Sequence, residues 1–357
     1  MPFLDGLRAC AIVAMVANHT ARWWIGGSFG WPRYHLIYIT TVVAAPIFLF
    51  LVGFCQAIAH HNATAVRGQR MASVAPRYVR RGLQVILAGY LLNLIVFPHD
   101  PLWQLGVLQT IGVSMLALIP ALSIIQYRWG RAMIMAVSAA MYVAFGLSHV
   151  PLQQWLGDHR LVAQVAFADF PPWPWTTLVL IAAVFGWRFC EANREGAAAR
   201  ARYFRAMAVA AVLCVLAFVA YDAWMHTPVR LGFMRDFIVN RHWTPRGVTL
   251  FLIGAVLFGT TSAAWYLMDH RGWAPRWLVE LGQTAMVLYF VHQIIVFTIA
   301  KQWLGIAFAS WAGYWAATAA LMVVLLYIGK AWLGIRPRLR RRPTPGAEPA
   351  PATAGGR

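Results

Sequence analysis

Apolar and polar positions along this chain separate on the scale of whole membrane crossings, with long apolar runs divided by short polar connections. A helix needs about 20 mainly apolar residues to cross the hydrocarbon core. About ten runs of that length fall at roughly 3–25, 38–59, 79–97, 104–126, 132–150, 174–190, 206–225, 246–267, 278–300 and 309–334. They predict an all-α fold, a polytopic integral membrane bundle of about ten transmembrane helices occupying residues 1–335. Residues 336–357 turn basic and then Pro/Ala/Gly-rich, which predicts a disordered tail. The first run does not read as a cleavable signal peptide: it is too long, and Trp23-Trp24 stand where small residues would be needed.

Composition agrees with a membrane protein and excludes a soluble one. Of the 357 residues 61% are hydrophobic and 11% charged, and the mean hydropathy is +0.60, whereas soluble domains carry roughly a quarter charged residues. Thirty Lys+Arg against 11 Asp+Glu give a formal charge of +19. In a soluble chain that excess would point to nucleic acid. Here, with a cytoplasmic N-terminus, 22 of the basic residues fall on the cytoplasmic side and 8 outside. The excess therefore reads as an orientation signal and as contacts to membrane lipids, and no nucleic-acid partner is expected. Both termini are placed in the cytoplasm, although four arginines in 230–246 fall on the other side. Trp23, Trp24, Trp31, Trp103, Trp173, Trp175, Trp303 and Trp311 lie near the outer ends of spans, where indoles settle at headgroup level. Cys10, Cys55, Cys190 and Cys214 form no CxxC, so neither a disulfide framework nor a metal site is expected.

Ionisable groups inside spans cost about 2.5–3.5 kcal/mol each on insertion scales, so each needs a reason. Asp5-Gly6-Leu7-Arg8 opens the first span, and Asn18-His19 follows so that His19 comes eleven residues after Arg8. On a helix that spacing is about 16 Å of rise and leaves the two side chains within about 20° of one face. A cation at the cytoplasmic surface and an imidazole in the outer half of the bilayer thus share a face. His292 and Asn93 lie at comparable depth in their own spans, Gln109 a few residues into an inward-running one, and Asp100, His99 and Asp169 on outer loops nearby. Asn93 and Gln109 also suit plain interhelical hydrogen bonding, and Arg8 taken alone suits snorkelling.

The order of several motifs resembles a known group. Leu4-Asp5-Gly6-Leu7-Arg8, ten residues and His19 resemble the Arg-x10-His signature of membrane acyltransferases, including the acyltransferase-3 family. Ala45–Gly53, Gly106–Gly112, Phe170-Pro171-Pro172-Trp173-Pro174-Trp175 and Leu281–His292 look closer to bacterial homologues of heparan-alpha-glucosaminide N-acetyltransferase. The similarity runs in order over most of the chain. Two places depart from the group: Val42-Val43-Ala44 replace a His that many relatives carry before the Ala-Pro, with His35 the nearest imidazole, and Gln283 stands where an Arg is common.

The resemblance implies an acyltransferase of the bacterial inner membrane. It would move an acyl group, an acetyl above all, from an acyl-CoA such as acetyl-CoA to a hydroxyl or amine of a saccharide or envelope glycan. Within that reading His19, Asn18 and His292 are the catalytic candidates. Arg8, Arg80 and Arg81 are candidates for the phosphates of the donor, and Asp5, Gln109, Asn93 and Asp169 for substrate contacts. The competing reading is a proton-coupled or anion transporter without acyl-transfer chemistry, against which no inverted repeat is visible. A homo-oligomer is left open.

Overall fold

The computed structural model describes residues 1–25, 37, 40–41, 43–99, 105–155, 170–224 and 249–340. Asp169, Asp100, His35 and residues 341–357 of the expected tail lie outside the described residues, while its first five residues, 336–340, continue the last helix. Among those described, the regular structure is helical: α1 (Pro2–Trp24), α2 (Ala44–His61), α3 (Met71–Val96), α4 (Val107–Ile124), α5 (Arg128–Trp155), α6 (Pro172–Glu195), α7 (Ala197–Trp224), α8 (Thr249–Ala264), α9 (Arg276–Gln283), α10 (Ala285–Gln293) and α11 (Trp311–Arg340). π-helical turns extend three of them: Asn62–Val66 after α2, Trp265–His270 after α8 and Ile294–Trp303 after α10. Among the described residues, nine helical segments are long and apolar enough to cross a membrane. The protein is an all-α integral membrane bundle.

The first expected span, α1, is the exception in composition. Its 23 residues reach about 34 Å, enough to cross, but Asp5, Arg8, Asn18, His19 and Arg22 keep it out of the apolar nine. A helix this polar is stable in a membrane only when other helices shield it. Accordingly α1 is surrounded by α2, α8, α9, α10 and α11. Pro2 fits the first turn, where no amide hydrogen bond is lost. Asp5 near the N-terminus and Arg22 near the C-terminus match the helix dipole.

Burial divides the other helices into two classes. The spans of α2 and α6 are 67% and 72% buried, whereas those of α3, α5, α7 and α11 are each 22% buried and turn Val, Leu and Met toward lipid. The buried pair packs backbone to backbone. A Cβ on Gly53 would strike the Val179 carbonyl, and one on Gly186 the Phe54 carbonyl. Small residues allow this approach where no hydrophobic force acts between helices. Gly282 of α9 lies equally close to the Asp5 carbonyl and holds α9 against the start of α1.

Contacts at one end of the bundle join the start of α1 to the end of α2, the start of α7 and the end of α8, through Arg8 to Cys55, Phe3 to Phe204 and the Phe3 amide to Asp269. Most of the described arginines lie at this basic end. At the opposite end the Phe308 amide bonds the Trp24 carbonyl at 2.8 Å. Two tryptophans expected at the headgroups are interior instead. Trp24 donates to the Val296 carbonyl at 3.0 Å, and Trp175 stacks on Phe170 with both rings buried. Each indole has found a partner inside the bundle, so neither is left to seek the interface.

The run at 278–300 is not one helix. It breaks at Thr284, whose hydroxyl bonds back to the Glu280 carbonyl at 2.9 Å, restarts as α10 and widens into a π-helical run from Ile294. Such widening recurs at functional sites. Here it follows directly on His292 and Gln293.

Candidate active site

The crossing of α1 and α10 joins two imidazoles. His19 Nδ1 lies 2.8 Å from His292 Nε2, with the rings 6° from parallel, and His292 Nδ1 lies 2.9 Å from the Leu288 carbonyl oxygen. A carbonyl only accepts, so the hydrogen-bond pattern assigns the tautomers. His292 Nδ1–H donates to Leu288, which leaves its Nε2 as an acceptor. His19 Nδ1–H then donates to that Nε2. The remaining nitrogen, His19 Nε2, has no hydrogen-bond partner among the described residues and belongs to a side chain that lines a cavity. His292 itself is fully buried behind His19.

The cavity has a volume of about 400 Å³. Its polar lining includes His19, Asn18, Arg22, Asn93, Gln109 and Gln293, set among aromatic walls that include Trp23, Phe170 and Phe297. The Asn18 amide donates to the Thr41 hydroxyl at 3.1 Å. Gln109, buried at the start of α4, accepts from the Gly106 amide at 3.2 Å, while its own Nε2 is buried with no partner among the described residues. Burying an amide donor unpaired costs about 1–3 kcal/mol, which is repaid if a substrate oxygen sits there. Arg22 lies three residues after His19, on the same face of α1. It rests over the Trp23 ring at 5.2 Å and makes no ion pair among the described residues.

A second cavity, also about 400 Å³, opens toward the basic end. Arg8, Arg81, Cys55, Gln56, Tyr78 and Gln283 are among its polar lining residues. Arg8 bonds Asp5 at 2.6 Å and Cys55 Sγ at 3.1 Å, and Gln283 reaches the other Asp5 oxygen at 3.5 Å. The two cavities share Phe48, Leu108 and Tyr289 as wall residues. The cavities therefore adjoin, with the cation Arg8 of one about 16 Å along α1 from the imidazole of the other.

The expected residues divide cleanly. Asn18, His19, Asn93 and Gln109 come together in one cavity, with His292 directly behind His19, while Arg8 and Arg81 come together in the other. Arg80 lies apart from them, in a lipid-side groove with Ala72, Leu83 and Leu87. Asp5 lines neither cavity and instead holds Arg8. Tyr289, Gln293, Arg22 and Trp23 also line the first cavity and were missed. Helix spacing pointed to Arg22 and Tyr289, each three residues from a histidine already chosen. Gln293 follows Tyr289 by four residues on α10, so the same helix spacing places it beside Tyr289 in the cavity lining.

An all-helical membrane bundle that shelters a histidine pair beside a polar cavity has the make-up of a membrane-embedded enzyme. Residues 1–228 match the family described as heparan-alpha-glucosaminide N-acetyltransferase, catalytic. The match covers more than half of the chain, and the chain belongs to this family; it is a membrane acetyltransferase. No curated protein is similar enough to count as a match. The matched segment carries Arg8, His19, Asn93 and Gln109, whereas Tyr289, His292 and Gln293 lie beyond it. No group of three or more potential metal ligands occurs among the described residues.

Proposed function

We propose that the protein transfers an acetyl group from acetyl-CoA, bound from the cytoplasmic side of a bacterial inner membrane, to a hydroxyl or amine of a saccharide acceptor. The observation that carries this reading is the pair of adjoining cavities, one holding guanidinium groups and the other a histidine with a free nitrogen. Phosphates of the donor need cationic partners, and Arg8 and Arg81 line the basic cavity. The pantetheine arm passes Phe48, Leu108 and Tyr289 and brings the thioester beside His19.

His19 Nε2 takes the proton of the acceptor hydroxyl or amine as that atom attacks the thioester carbonyl. The carbonyl oxygen becomes an oxyanion, and the unpaired Gln109 Nε2–H is the donor best suited to it, since the Asn18 amide is already engaged with Thr41. The C–S bond then breaks, the CoA thiolate leaves, and the proton on His19 passes to it. His292 accepts from His19 Nδ1–H throughout and steadies the imidazolium. Asp5, which bonds Arg8, presents the guanidinium to the donor. Arg22, on the His19 face one turn farther out, faces the acceptor with Asn93 and Gln293.

Purified protein given acetyl-CoA and an envelope-saccharide mixture should release free CoA thiol only when the acceptor is present. Solute flux in vesicles without thiol release would replace this reading with a carrier.

A further inference from the structure

Sharing no lining residue with either cavity, a groove of about 600 Å³ lies at the basic end of the bundle between α5, α6 and α7. Its rim holds three guanidinium groups, Arg128, Arg131 and Arg188. Glu191 sits between two of them, 3.1 Å from Arg131 and 3.1 Å from Arg188. Arg128 makes no ion pair among the described residues. Three cations against one carboxylate leave a surplus of two positive charges at the rim. The walls are apolar, formed by Met135, Val184, Phe185 and Met207, and the α5 and α7 surfaces beyond, with Met133, Val137, Val209 and Val212, are exposed toward lipid.

Two further features set the depth of the rim. Tyr127 and Trp129, the neighbours of Arg128, are exposed and stack with ring centroids 5.6 Å apart. Exposed aromatic pairs of this kind settle at the headgroup level. Arg131 also donates to the Ile125 and Gln126 carbonyls, so its guanidinium is fixed at the turn between α4 and α5 and does not snorkel freely.

We propose that this groove is a binding site for an anionic phospholipid. The headgroup phosphate bridges Arg128 and Arg188, and an acyl chain lies along Met135, Val184 and Met207. A cationic rim over an apolar wall between membrane helices fits a phosphate with hydrocarbon attached and fits neither a free anion nor a zwitterionic lipid as well. Glu191 holds two arginines in place while leaving Arg128 to the ligand. The site is independent of the acetyl-transfer reading.

The test uses the full chain, purified in neutral detergent, with phosphatidylglycerol, phosphatidylcholine or inorganic phosphate added. Lipid retention is read by native mass spectrometry and stability by thermal unfolding. Phosphatidylglycerol should be retained and raise the melting temperature by several degrees, and the other two additives should do neither. Arg128→Gln alone and Arg128→Gln/Arg188→Gln should weaken retention stepwise while unfolding normally without lipid. Ala206→Trp, which fills the groove and keeps every charge, should abolish it. Arg271→Gln/Arg276→Gln, which removes two charges elsewhere at the same end, should leave retention intact. Equal responses to the two lipids, a response to inorganic phosphate alone, or full retention in Ala206→Trp would overturn the proposal.

Discussion

The two adjoining cavities solve the same problem, polar groups inside a membrane, in opposite ways. The basic-end cavity uses full charges, Arg8 and Arg81, and keeps them where water reaches: the Arg8 side chain is 31% exposed and neutralised in part by Asp5. The deeper cavity uses, apart from Arg22 at its outer edge, neutral groups only: three carboxamides beside Asn18 and an imidazole pair whose tautomers are locked end to end. A charge without a partner is expensive at depth, whereas an amide or a neutral imidazole is affordable. The proposed function assigns binding to the charged groups at the surface and chemistry to the neutral groups at depth, in keeping with that difference in cost.

The division of labour predicts a graded set of losses. His19→Ala removes the proposed base and should lower the acceptor-dependent rate of thiol release by about 10²–10⁴, with the apparent affinity for acetyl-CoA little changed. Gln109→Leu removes the proposed oxyanion donor and should cost about 10²–10³ in kcat. Steady-state kinetics on a folded variant check both, and an unaltered kcat in either would place the chemistry elsewhere.

In the proposed mechanism His292 acts on the substrate only through His19. A hydrogen bond to a charged group contributes about 1.5–3 kcal/mol, so His292→Ala should slow the reaction about ten- to hundredfold. His292→Gln, which still offers an acceptor to His19 Nδ1–H, should recover part of the loss. A merely structural His292 would show no such rescue in kcat. Smaller still, Arg8→Ala should raise the KM for acetyl-CoA about tenfold, by the loss of one charge-assisted contact, and leave kcat nearly intact. Arg80→Ala, whose side chain lies on the lipid side, should change neither.

Much of this arrangement was legible in α1, because helix geometry alone places Arg8 and His19 on one face. The depth match of His19, Asn93, Gln109 and His292 was legible too, since depth is counted in residues from a span's end. That His19 and His292 touch was not, as they are separated by 273 positions and their contact depends on how α1 crosses α10. Hydropathy read 278–300 as one span because α- and π-helical turns bury the same residue types, and only backbone hydrogen bonds tell them apart. Trp24 and Trp175 were misplaced for a related reason. An indole suits a membrane interface and a buried crossing equally well, and composition does not choose between them.

The central claim of the proposed function is that the donor thioester reaches His19 from the basic-end cavity. Bromoacetyl-CoA carries an electrophilic carbon close to where acetyl-CoA carries its carbonyl, so peptide mapping after labelling reads that meeting point directly. The account predicts alkylation of His19, prevented by excess acetyl-CoA and absent in His19→Ala. Labelling confined to the Cys55 thiol, which lines the basic-end cavity beside Arg8, would show that the donor stops short of His19 and would contradict it.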